Sequence, residues 1–149
     1  MMMFSIENAS EKDLPVLAGL LREAGAEQDE AALREAIVSG KARAMIMDCD
    51  GPSGCCVWTA EAVPGTGKRG MIVETVYVSP RLRGQGFESL LFENLARIAE
   101  RDMYDSIRWD RNLGEWGKEI GTERDGIVFV EGTEQIAKLW GRCHCHEQG

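Results

Sequence analysis

The chain lacks any excess of positive charge. It carries 17 Lys and Arg against 25 Asp and Glu, a net charge of -8 over 149 residues. Binders of DNA, RNA or anionic membranes draw much of their affinity from phosphates neutralised by Lys and Arg. Nucleic acid and membrane are therefore excluded as expected partners, while a cationic amine suits the acidic balance. Long apolar runs are also missing, and no segment approaches the ~20 residues of a membrane span. The opening Met1-Met2-Met3-Phe4-Ser5-Ile6 has no positive n-region, so no secretory start is expected. There is no internal repeat, low-complexity tract or long linker. Cysteines number five, an odd count that fits no disulfide framework. A reduced, cytoplasmic protein is expected, with Cys49, Cys55 and Cys56 serving as small apolar strand residues. What remains is an ordinary globular composition, 44% apolar and 28% charged, in a length that suits one domain over residues 1–149.

Periodicity gives the order of elements. Residues 3–8 read as a strand. A helix follows, for which Ser10 and Asp13 compete as cap; Pro15 favours Asp13, which places the ring in the first turn where no N–H is missed. Leu14, Leu17, Ala18 and Leu21 share one face, and Gly25 ends the helix. "DEAALREAIVSG" predicts a second helix, with Leu33, Ile37 and Val38 inward and Gly40 as its stop. "ARAMIMDCDG" and "SGCCVWTAEAV" flank a turn signal and predict a hairpin. After a loop that includes the basic "KRGM", "MIVETVYVSP" is β-branched and reads as a central strand. From Gly86 the period turns helical: Phe87, Leu90, Leu91, Leu95 and Ile98 form a stripe, and Glu93 and Arg97 are spaced to pair. "SIRWD" predicts a strand, "NLGEWGKEIG" a Gly-broken helix, "GIVFVEG" a strand and "TEQIAKLWGRC" a terminal helix. The order β-α-α-β-β-β-α-β-α-β implies an α/β (α+β) protein. Its mixed sheet would have about six to seven strands, with helices on both faces.

The turn "VSPRLRGQGFESLLF", residues 78–92, carries the strongest chemical signal. Gly84 and Gly86 let a backbone approach a ligand closely. Successive N–H groups opening a helix form an anion site, to which Arg83 and Arg81 add charge. In this setting the chain resembles the GNAT superfamily of acyl-CoA-dependent N-acetyltransferases. The pattern R/Q-x-x-G-x-G/A aligns with Arg83-Gly84-Gln85-Gly86-Phe87-Glu88, and Val78, Pro80 and the Leu90-Leu91 pair fall where family members carry them. "FSIENASEKDLPVLAGLLREAG" is similar to the family's opening strand and helix. The resemblance implies acetyl-CoA as co-substrate. The backbone near Val76, Tyr77 and Val78 would hold its pantetheine arm, and the N–H groups from Arg83 through Phe87 and Glu88 to Ser89 its pyrophosphate. It also implies that the strand around Ile107 to Asp110 splays from the central one.

Two positions depart from the family pattern. Glu88 replaces a Gly or Ala, and the expected arrangement turns its carboxylate outward. Gly117, in "WGKEIGT", stands where many members carry a Tyr that protonates the departing thiolate. By the same resemblance Glu74 is the candidate base; a Glu facing solvent or paired to Arg108 is the plainer reading. Asn112 is a candidate contact of the pantetheine arm, or simply a helix N-cap. Trp58, Trp109, Trp116 and Trp140 are expected in the core or an interface. No metal site is expected. In an extended "RCHCHEQG" tail, Cys143, His144, Cys145 and His146 point to opposite sides, and residues 143–149 read as frayed. The resemblance thus implies acetyl transfer to a small-molecule or protein amine by direct attack in a ternary complex. A catalytically silent binding or scaffold module is the alternative, and a homodimer is compatible with either.

Overall fold

A computed structural model describes the backbone of residues 4–27 and 29–148, and side chains through residue 140. The described elements are β1 (Phe4–Asn8), α1 (Leu14–Glu23), α2 (Glu30–Ser39), β2 (Ala42–Cys49), β3 (Pro52–Val63), β4 (Lys68–Val78), α3 (Phe87–Arg101), β5 (Ser106–Asp110), β6 (Thr122–Arg124), β7 (Ile127–Glu131) and α4 (Thr133–Gln148). The strands form one mixed seven-stranded sheet in the order β1-β2-β3-β4-β5-β7-β6. The α/β class and the strand number expected from the sequence are both present. Contacts group the chain into two compact units, Met1–Thr59 with Thr75–Leu91 and Ala60–Glu74 with Phe92–Gly149.

In the first unit, β2 pairs antiparallel with β1 and with β3. Alternation along β2 and β3 puts Ala42, Ala44, Cys55 and Val57 on one face, where they meet Leu17, Leu20 and Leu21 of α1 and Tyr77 of β4. Pro15 sits in the first turn of α1 and Asp13 is its N-cap by position. The Asp13 carboxylate does not cap α1, however. It accepts from the Ser10 backbone N–H (2.9 Å) and hydroxyl (3.1 Å), closing the 3₁₀ turn Glu11–Asp13. Asp29 caps α2 through the N–H groups of Ala31 and Ala32. Gly40 stops it in the left-handed conformation, φ 81°. Leu33, Ala36 and Ile37 pack on the core, but Val38 is 61% exposed, contrary to the expectation that it faces inward. At 100° per residue, Val38 lies one step beyond that stripe. Gly54 is a packing glycine: a Cβ there would stand 2.6 Å from the Tyr77 carbonyl oxygen.

In the second unit, β4 and β5 run parallel from Gly70↔Ser106 to Val73↔Trp109, and β5 pairs antiparallel with β7. One face of this sheet is core: Met71, Val73, Ile107, Trp109, Val128 and Val130 are buried, as are Leu95, Ala99, Ile136 and Leu139 on α3 and α4. The expected Glu93–Arg97 pair on α3 forms at 3.2 Å. Two expectations fail here. "KRGM" is not a loop but the start of β4. Arg69 donates its N–H to the Asp105 carboxylate (2.9 Å), its guanidinium hydrogen-bonds the Asp102 carbonyl and it stacks over Tyr104. The helix expected over residues 112–121 is absent. A 3₁₀ turn at Arg111–Leu113 leads into turns and then β6, because Gly114 (φ 154°) and Gly117 (φ 64°) adopt conformations no α-helix can contain. The α4 backbone runs to Gln148, while the side chains of the Cys/His tail lie outside the described residues.

Burial pushes the Cys55 thiol up to about 12, with Glu23 adding to the shift. It raises Cys56 further, with Cys55 as the second cause. Both thiols hold their protons more tightly folded than unfolded, where they titrate near 9.0. Their contribution is complete below that value and is lost as pH rises through the folded ones. Denaturation midpoints measured from about pH 8 to about pH 11 should fall. Replacing both residues with Ala should flatten that fall.

Candidate functional site

The candidate site residues of the first unit lie at the end of β4 and in the turn after it. Tyr77 and Val78 are buried and Val76 half-buried. After Ser79 the chain turns through Pro80–Leu82, and Gly84 (φ 78°) and Gly86 (φ 88°) bring it into α3. A Cβ built on either glycine would meet nothing within 4 Å, so backbone conformation rather than crowding demands glycine there. The Leu90 N–H donates to the Gly86 carbonyl at 3.1 Å, at the start of α3. The N–H groups of Phe87, Glu88 and Ser89 precede the ladder.

The turn is braced by its own polar side chains. Arg83 donates Nε–H to the Val78 carbonyl (3.0 Å) and lies over the Tyr77 ring. Arg81 donates to the Cys49 carbonyl (2.7 Å) and the Ser53 hydroxyl (2.6 Å). Gln85 donates to the Arg81 carbonyl (3.2 Å). The Tyr77 hydroxyl bonds Glu23 at 3.1 Å. Burial raises its pKa, and the bond to the Glu23 carboxylate raises it again. Glu88 does not turn outward as expected. The residue is half-buried, and its Oε1 is enclosed with no hydrogen-bond partner among the described residues.

The second unit carries a pocket of about 440 Å³ lined by Ile72, Glu74, Arg108, Asp110, Leu113 and Ile127, with Val73 and Trp109 beneath. The register explains this grouping. Arg108 pairs with Ile72 across the ladder, and Ile127 with Asp110, so their side chains share the sheet face opposite the core. Glu74 and Asp110 each stand one residue past the last β4–β5 pair. Arg108 forms an ion pair with Glu61 of β3 at 3.0 Å. The Asp110 carboxylate accepts from the Asn112 N–H at 2.8 Å. Asp110, not Asn112, is therefore the cap of that 3₁₀ turn, and Asn112 is exposed beside it.

No family model and no curated protein matches the chain. Solved structures do. A ribosomal-protein-alanine N-acetyltransferase from Brucella melitensis aligns at 21% identity and TM-score 0.68, over 83% of this chain and 94% of that one. A predicted acetyltransferase from Clostridium acetobutylicum, solved with acetyl-CoA, aligns at 16% identity and TM-score 0.68, over 82% and 91%. The Escherichia coli GNAT-family N-acetyltransferase YhbS, in complex with CoA, aligns at 14% identity and TM-score 0.67, over 93% and 87%. This chain has the GNAT fold.

A Cβ on Gly117 would lie 2.5 Å from Leu139 Cδ2 and 3.5 Å from Trp109, with Phe92 near at 3.8 Å. Phe92 also packs edge-on to Trp109 and stacks on Trp116. Trp58 and Trp109 are buried as expected; Trp140 is half-buried and donates to Glu100. Leu139, Trp109 and Phe92 thus leave no room for a side chain at position 117. Asp110 and Glu61 were missed in the sequence. Alternation in "SIRWD" does set Arg108 and Asp110 on one face, but nothing local links Arg108 to Glu61. Gly117→Ala meets both a positive φ and a crowded Cβ. It should destabilise the chain by roughly 1–3 kcal/mol, read as a lower denaturation midpoint at constant slope.

Proposed function

We propose that this chain is an N-acetyltransferase that transfers an acetyl group from acetyl-CoA to an amine by direct attack in a ternary complex. The observation that carries the reading is the turn from Arg83 to Gly86. It pairs two positive-φ glycines with helix-opening N–H groups that precede the ladder. These groups fit an anionic pyrophosphate. The N–H groups of Gly84, Gln85, Gly86, Phe87, Glu88 and Ser89 would hold it, with Arg83 keeping the turn closed. The β4 backbone at Val76, Tyr77 and Val78, and Asn112, are proposed contacts of the pantetheine arm. Bound acetyl-CoA would supply the thioester that the amine attacks.

Glu74 is the proposed base. It is exposed at the pocket, two residues before Val76 on the same strand. There it takes the proton from the incoming ammonium, and such catalysis contributes roughly 10²–10⁴-fold. Gly117 has no proton to give, so solvent or another side chain must protonate the leaving thiolate. Glu88 favours a second reading, a GNAT-fold binding module without turnover. A carboxylate beside a pyrophosphate is repulsive by about 1 kcal/mol when solvated and more when buried.

Calorimetric titration of the full chain with acetyl-CoA tests the proposal. Saturable binding is expected, and absence of heat at high micromolar cofactor would sink it. Glu88→Gln should bind up to about 5-fold more tightly, the equivalent of about 1 kcal/mol. Binding without thiol release across an amine panel would select the binding module.

A further inference from the structure

Arg81 stands in the turn that opens α3, but its side chain is bonded to the β2–β3 hairpin. Its Nη2 donates to the Ser53 hydroxyl at 2.6 Å and to the Cys49 carbonyl at 2.7 Å, 28 and 32 residues away in sequence. Ser53 and Cys49 are both buried. The hairpin is shaped to receive the guanidinium. The β2–β3 register shifts between Met47 and Asp48, and Asp50 and Gly51 take positive φ, 56° and 113°. The Asp48 carboxylate accepts from the Gly51 N–H at 2.9 Å, and the Ser53 hydroxyl donates to the Gly51 carbonyl at 2.6 Å. With its proton committed there, the hydroxyl offers Arg81 a lone pair. A backbone bond runs alongside, from the Ser79 N–H to the Ser53 carbonyl at 2.7 Å. Within the turn, Gln85 donates to the Arg81 carbonyl at 3.2 Å. A chain of hydrogen bonds thus runs from the hairpin through Arg81 to Gln85, directly before Gly86. Bonds from a charged donor are stronger than neutral ones, and breaking them strands buried acceptors. An arriving anion would have to pull the guanidinium from both.

From this we infer that Arg81 is a positioning residue of the cofactor site. It holds the turn from the hairpin, through Ser53, and does not itself bind the pyrophosphate. The β2–β3 hairpin then sets the order of the N–H groups from Gly84 to Ser89 without touching the cofactor. The inference rests on the reading of this turn as the pyrophosphate cradle.

The test is calorimetric titration with acetyl-CoA of four full-length chains: the parent, Ser53→Ala, Arg81→Met and the double variant. Arg81→Met should weaken binding by roughly 10-fold, and Ser53→Ala should act in the same direction. The double variant should bind no more weakly than Arg81→Met, since both changes cut one link. S-acetyl-pantetheine lacks the pyrophosphate, and its affinity should be equal in all four chains, a readout that a general loss of stability would not spare. Ser53→Ala binding acetyl-CoA as tightly as the parent, or more tightly, would mark a released Arg81 as a direct ligand and overturn the inference. So would losses that add in the double variant, or an equal loss for S-acetyl-pantetheine. If the parent chain binds no acetyl-CoA, the transfer reading falls separately. Titration of the same four chains with inorganic pyrophosphate then decides the role of Arg81 by the same cycle, and a parent chain that binds no pyrophosphate overturns it.

Discussion

The short parallel ladder between β4 and β5 is the constraint on which the pocket of the second unit depends. Its register runs for four residue pairs and stops at Val73↔Trp109, while β4 continues to Val78. Up to that point alternation is fully determined: Met71, Val73, Ile107 and Trp109 go into the core, and Ile72 and Arg108 go to the other face. Past it, Glu74 and Asp110 stand beyond the last pair of that ladder. A longer ladder would have consumed the segment from Glu74 to Val78 in sheet hydrogen bonds. A shift of one residue would have exchanged Arg108 for Trp109 on the pocket face.

Much of this architecture could be read from local chemistry. Gly25 and Gly40 mark helix ends because their backbones sit at positive φ. The amphipathic stripe of α3 and the alternation of β5 needed only period counting. The failures share a different origin. "KRGM" joins β4 because Arg69 finds Asp105, Asp102 and Tyr104 more than thirty residues away. "NLGEWGKEIG" has helix-forming letters, but Gly114 and Gly117 take positive φ, and a Cβ on Gly117 would strike Leu139, a contact that no local pattern encodes. Val38 looked apolar enough to be inward and is not, since helix geometry outranks composition.

The candidate site was partly legible for the same reason. The glycine turn is a local object, so its residues could be named from their order alone. The pocket assembles β4, β5 and β7, and the ion pair of its Arg108 with Glu61 bridges residues far apart in sequence. Glu88 lies between these cases. Its place in the first turn of α3 was plain, but the enclosure of its Oε1 depends on packing that no local pattern encodes.

The bracing of the turn has a kinetic consequence. Arg81 and Arg83 bond neutral acceptors, two backbone carbonyls and a hydroxyl, and a neutral acceptor does not cancel a cation's charge. Even against the one carboxylate of Glu88, the turn is therefore a small positive region in a chain whose net charge is -8. An approaching anion meets general repulsion at long range and local attraction only within about one Debye length, roughly 8 Å at physiological ionic strength. Added salt weakens both fields. Its net effect on the rate of encounter is then smaller than for a protein whose global and local charges have the same sign.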